Sequence, residues 1–179
     1  MSAAGYEFDV VHPAVDETRR DGESADAMVL RLASEKAEAG SRIAGPNAVV
    51  VAADTIVVID DDVLGKPASP DDAVAMLTRL AGRTHRVLTG WAIKAKAGER
   101  FGVVETAVRF NERTDAEIRE FVDRSEPYDK AGAYAIQGDD GWLIQSVSGS
   151  RSNVMGMPVR EIVEALADVG VPRSAPDSV

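Results

Sequence analysis

With 179 residues and an apolar fraction of 45%, the chain is long enough for one domain with a real core, and no run approaches the apolar length of a membrane span. It has no cysteine, which excludes disulfides, thiolate nucleophiles and Cys-ligated metal, and its two histidines, His12 and His85, disfavour a His-rich metal site. A net charge of −10 argues against a general nucleic-acid binder, whose phosphate contacts need clustered Lys and Arg, yet leaves room for a small phosphorylated ligand in a local basic pocket.

The N-terminus, MSAAGYEFDVV, has neither a basic flank nor an apolar signal core, so a cytoplasmic location is expected. Tyr6 to His12 alternates loosely and reads as a short strand ended by Pro13, followed by an acidic loop with Asp16 and Glu17. Helical spacing of Met28, Leu32 and Ala39 predicts a helix from Ser24 or Ala25 to about Ala39, with Gly40 just past its end and Lys36 in its last turns.

Asn47 to Ala53 is too continuously apolar for a half-exposed strand and reads as a central one. After Asp54, Thr55 to Ile59 is expected to pair with Asp62 to Leu64 as a hairpin around an acidic turn. Ser69-Pro70-Asp71-Asp72 is a helix start, with Ser as cap, Pro in the first turn and acids at the positive end of the dipole.

Thr84 to Lys96 and Phe101 to Phe110 read as a second hairpin, Thr114 to Glu117 as a capping box opening a helix, and Trp142 to Val147 as a strand. Pro158 to Val169 reads as the last helix, and 171–179 as a disordered polar tail. Residues 1–170 are expected to form one mixed α/β domain, because antiparallel hairpins are foreign to a purely alternating βαβ fold.

Four polar features stand out: Asp16-Glu17, Asp54-Thr55, Lys66 in Leu64-Gly65-Lys66-Pro67, and a Gly-punctuated stretch from Glu126 to Pro158 that carries Gln137, Ser148, Ser150, Ser152 and Asn153. Each has an ordinary alternative: a solvated turn for Asp16-Glu17, a turn cap for Asp54, a surface lysine for Lys66 and two ordinary loops for the Gly-punctuated stretch; Lys36 likewise reads on composition alone as a solvated helix residue. A carboxylate between two apolar runs is nevertheless costly without a partner or a task. Two carboxylates, two lysines and a few amides and hydroxyls make the inventory of a metal-assisted phosphoanhydride hydrolase. In such an enzyme carboxylates hold a hard cation and lysines neutralise phosphate oxygens. No P-loop or kinase signature is present.

VAADTIVV, LGKP, HRVLTG, DKAGAYAIQG and GSRSNVMGMP, with VDET at Val15 to Thr18, closely resemble the blocks of the Maf family of nucleoside triphosphate pyrophosphatases, in order and from Tyr6 to about Leu166. The resemblance implies the elongated mixed α/β fold shared with inosine triphosphate pyrophosphatases, with a cleft between two lobes. It also implies hydrolysis between the α and β phosphates with a divalent cation, Mg²⁺ or Mn²⁺. By motif, Asp54 would be the general base, Glu17 and Asp54 would hold the metal, and Lys36 and Lys66 would face the phosphates. Thr55 and Gln137 match the branch that prefers dTTP and UTP, and a homodimer is the family's expected assembly.

Three departures accompany the match. Family members begin with an apolar strand and a Ser-x-x-Arg-Arg motif whose arginines would contact the triphosphate, whereas MSAAGYEF resembles the tail of the helix that follows it. With every downstream block intact, the expectation is a start assigned at an internal Met. The alternative is a catalytically impaired nucleotide-binding or regulatory relative linked to septum formation. Tyr128 stands where Trp is common, and Arg151 where Tyr is common.

Overall fold

Local signals place most of the elements. In the computed structural model, which describes residues 1–172, they are α1 (Ala25–Ala44), β1 (Val50–Ile59), β2 (Asp62–Leu64), α2 (Pro70–Leu80), β3 (Thr84–Ala95), β4 (Gly98–Phe110), α3 (Asp115–Ser125), β5 (Ile144–Ser148), α4 (Arg151–Val154) and α5 (Val159–Asp168). Three helix starts lie where the capping residues put them. Ser24 Oγ accepts from the Ala27 amide at 3.2 Å and Ser69 Oγ from the Asp72 amide at 3.1 Å. Thr114 and Glu117 cap each other reciprocally.

The strands form one sheet in the order β2-β1-β3-β4-β5. β1 and β2 pair antiparallel with Ile59 opposite Asp62, leaving Asp60 and Asp61 as a two-residue loop at φ 50 and 63. Positive φ at both positions is what such a hairpin loop requires if the strands are to keep their twist. β3 and β4 are joined by Lys96 and Ala97 alone, a connection only antiparallel neighbours accept. β5 runs antiparallel to β4 with Val108 opposite Val147. The class is mixed α/β, a sheet with antiparallel hairpins flanked by helices.

The chain divides into two compact units. One comprises Met1–Asp54, Gly90–Val103 and the stretch from Met157 on; the other comprises Thr55–Thr89 and Val104–Gly156. In the first, small residues bring α1 close to β3: Ala33 and Ala37 pack on Ala92, with Ala52 beside them. The approach is tight enough that a Cβ on Gly90 would lie 2.2 Å from the Val29 carbonyl oxygen. In the second, Val57, Leu77, Leu80, Phe110, Ile118 and Val122 anchor the apolar core. His85 and Tyr134 are buried there, joined Nε2 to hydroxyl at 2.8 Å and set edge-on to Phe110.

Three expectations need correction. Tyr6 to His12 is irregular, with Phe8 and Val10 exposed, because among the described residues no strand pairs with it. The first helix does not stop at Ala39. It continues through a buried Gly40, where a Cβ would meet Val50 Cγ1 at 3.1 Å, and ends at Gly45 with φ 93. Gly40 is thus a close-approach residue rather than a terminator. Asn47–Ala53 and Thr55–Ile59 are not two strands parted by an acid, since β1 passes unbroken through Asp54. Of the expected tail, 173–179 lie outside the described residues. No helix among those described is long and apolar enough to cross a membrane.

Candidate active site

Lys36 sits on α1 among the small buried residues Ala33, Ala37 and Gly40, so its long side chain leaves the packed face and ends at two carboxylates. Its Nζ is 2.6 Å from Asp54 Oδ1 on β1 and 2.6 Å from Glu17 Oε1 in the loop before the helix. The side chains are 21% exposed for Lys36, 11% for Asp54 and 51% for Glu17. The trio is therefore sheltered on the strand side and open on the loop side. Partial burial pushes the Lys36 ammonium down, but its hydrogen bonds to Asp54 and Glu17 and their charges outweigh that and hold it above the ordinary lysine value. Chemically, two carboxylates converge on one cationic centre.

Thr55, the next residue, engages a different and uncharged set. Its Oγ1 is 2.9 Å from Thr89 Oγ1, and the Thr89 hydroxyl donates to the Asn153 carbonyl at 3.0 Å. A hydroxyl has one proton and a carbonyl only accepts, so Thr55 must be the donor to Thr89. The Thr55 oxygen is thereby left with acceptor capacity alone. Asn153 Nδ2 donates to the Val87 carbonyl and to Thr106 Oγ1, each at 3.0 Å, and the Ser150 amide donates to Thr106 Oγ1 at 3.1 Å.

Lys66 and Gln137 belong to the same unit as Thr55. Lys66 is exposed just after β2, in a segment tied to the Gly-rich loop by the Gly132 amide, which donates to the Gly65 carbonyl at 3.0 Å. Gly132 can make that contact because it adopts φ 68, and a Cβ there would strike Val57 Cγ2 at 3.0 Å. Lys66 also acts on Asp129, whose carboxyl lies below its usual value chiefly through a hydrogen bond from Lys130, with the charge of Lys66 adding to it. Gln137 is exposed in the loop before β5.

Comparison with known proteins adds to this geometry. A family model described as Maf-like protein matches residues 1–169. The chain belongs to the Maf family. It is 46% identical over 172 residues to the dTTP/UTP pyrophosphatase of Syntrophus aciditrophicus, covering 95% of this chain and 83% of that protein. It is 48% identical over 166 residues to the protein of the same name from Myxococcus xanthus, covering 92% and 83%. A third such relative, from Geotalea uraniireducens, is 45% identical over 174 residues, covering 95% and 88%.

In this Maf chain the motif blocks fall on identifiable elements: VDET in the loop before α1, ADT within β1, LGKP at the end of β2, and HRVLTG in β3. Among the described residues no group of three or more His, Asp and Glu stands close enough to hold a metal ion by itself. Two convergent carboxylates nevertheless suit a hard cation of the Mg²⁺ kind, which keeps several waters and takes one or two carboxylates together with substrate phosphates. The sequence reading missed Arg31, whose guanidinium grips the Glu17 loop, and the orienting part played by Thr89 and Thr106. The i,i+4 spacing of Arg31 and Glu35 was the one local hint of the former.

Proposed function

We propose that this Maf protein hydrolyses dTTP and UTP to the nucleoside monophosphate and pyrophosphate. The observation that carries the reading is the Lys36 ammonium held 2.6 Å from both Asp54 and Glu17, in a chain 45 to 48% identical to relatives named dTTP/UTP pyrophosphatase. Water attacks the α-phosphorus, its oxygen forms the new P–O bond, the bond to the bridging oxygen breaks, and pyrophosphate leaves. Asp54 takes the proton from that water, a task open only to an ionised carboxylate, and the ammonium beside it favours that form. Lys36 and Lys66 offset charge on the phosphate oxygens.

Glu17 and Asp54 would hold a divalent cation, Mg²⁺ or Mn²⁺, which when bound polarises the phosphate and acidifies the attacking water. Thr55 and Gln137 read the base. The Thr55 oxygen, acceptor-only after donating to Thr89, suits the N3–H of thymine and uracil and rejects the N3 acceptor of cytosine. A homodimer acting on free nucleotides in the cytoplasm completes the reading.

Incubation with dTTP, UTP, CTP and GTP and a divalent cation, with pyrophosphate measured, tests it. We expect dTTP and UTP to lead the panel, and Asp54→Asn to slow dTTP turnover by about 10²- to 10⁴-fold. Equal rates for Asp54→Asn and wild type would remove Asp54 as the base.

A further inference from the structure

The loop that carries Glu17 has no regular structure, so something must hold it against α1 if Glu17 is to reach Lys36. Part of the hold is local: the Thr18 amide donates to Asp16 Oδ1 at 2.9 Å, closing a turn around Glu17. Arg20 adds an exposed ion pair to Glu35 on α1 at 2.9 Å, and the more buried part of the hold comes from one side chain. Arg31, on α1, donates from Nε and one terminal nitrogen to the two oxygens of Glu23 at 2.6 and 2.8 Å. That same terminal nitrogen donates to the Thr18 carbonyl at 3.1 Å, one residue beyond Glu17, and the other reaches Glu35 at 3.3 Å.

Glu23 is held in turn, because its carboxylate accepts from the Arg20 amide at 3.1 Å and its carbonyl accepts from Arg19 at 2.7 and 3.0 Å. The Arg31 and Glu23 side chains are only 12% and 9% exposed. This is unlike a surface ion pair, whose long side chains are free to part. A planar guanidinium fork fixes direction as well as distance, which a lysine cannot do.

We propose that Arg31 is a positioning residue for Glu17: by gripping Glu23 at one end of the loop and the Thr18 carbonyl beside Glu17, it fastens the loop to the helix that also carries Lys36. The consequence for metal binding rests on the reading of Glu17 as a cation-holding carboxylate. The grip itself does not.

The test uses Arg31→Lys in the full chain, alone and combined with Glu17→Gln, with Glu23→Gln as a second way to loosen the fork should Arg31→Lys not fold. In metal-free protein the amides of Thr18 to Glu23 are expected to exchange with solvent at least about tenfold faster in Arg31→Lys, while amides at the centre of α1 keep their protection. Mn²⁺ affinity, followed by electron paramagnetic resonance, is expected to fall by about 10- to 100-fold. No further fall is expected when Arg31→Lys is added to Glu17→Gln, since the group being positioned is already gone. Unchanged loop exchange overturns the proposal, and so does an equal fall in both backgrounds. If Glu17→Gln alone leaves Mn²⁺ affinity untouched, the cation-holding role of Glu17 fails instead, and loop exchange still decides whether Arg31 holds the loop.

Discussion

Glu17, Lys36 and Asp54 bring three formal charges within hydrogen-bonding distance and keep their side chains between 11% and 51% exposed. Thr89, Thr106 and Asn153 carry no charge at all and are between 0% and 1% exposed. The contrast follows from solvation. Drying an ion costs far more than drying a hydroxyl or an amide, so the charged set keeps one side toward water while the neutral set can be sealed, even with the Asn153 Oδ1 left without a partner. The partly exposed ammonium can exchange its carboxylates for a phosphate, and the carboxylates can exchange the ammonium for a metal ion. A sealed hydroxyl chain has nothing to exchange, but it holds one donor–acceptor direction. The first arrangement is suited to chemistry and the second to orientation.

The widest separation between the two should come from Lys36→Met. Loss of the ammonium is expected to lower kcat/KM for dTTP by about 10²- to 10³-fold. Because the Lys36 and Asp54 side chains are only 21% and 11% exposed, losing the ammonium should also lower stability in urea unfolding, by about 1 to 3 kcal/mol. A large loss of stability with little loss of activity would reverse the assignment.

The sealed region has an acid limit of its own. Burial pushes the His85 imidazole down from 6.5 to about 4. Folded His85 therefore stays neutral over a range in which the unfolded chain takes up a proton. Its stabilising contribution is whole above pH 6.5 and is lost as the pH falls through 4, a change of about 3 kcal/mol. Urea unfolding at pH 7 and pH 4 should show that loss in wild type and a smaller one in a His85→Phe, Tyr134→Phe double variant, which removes both partners of the bond at once. Equal losses would place the acid sensitivity elsewhere.

Asn153→Ala should have a smaller effect of the opposite kind to Lys36→Met. It strips the Val87 carbonyl and Thr106 of their Nδ2 donor, for a stability loss of about 2 kcal/mol. Thr89 keeps its bond, because the Asn153 acceptor there is backbone. Calorimetry reads the loss, and dTTP turnover of the folded fraction should change by less than about tenfold.

Much of the fold was legible because its signals act over a few residues. Ser24, Ser69 and Thr114 cap helices through amides three positions on, and the acidic turn needs only the backbone freedom of Asp60 and Asp61. Gly40 misled because a glycine that ends a helix and one that admits a neighbouring strand look alike in sequence, and the presence of Val50 decides between them. Tyr6 to His12 misled for the converse reason: alternation describes a strand's faces but supplies no partner to pair with.

The sequence by itself determined the chemical inventory of this protein, its helix starts and hairpins, and its family, since residue type and short spacing carry all of these. Tertiary structure decided the partnerships. Lys36 meets Asp54 across 18 residues, Thr55 meets Thr89 across 34 and Thr89 meets Asn153 across 64. Each depends on where helix and strand backbones come to lie, which in turn depends on packing as close as that between Gly90 and Val29. No spacing in the chain states that distance.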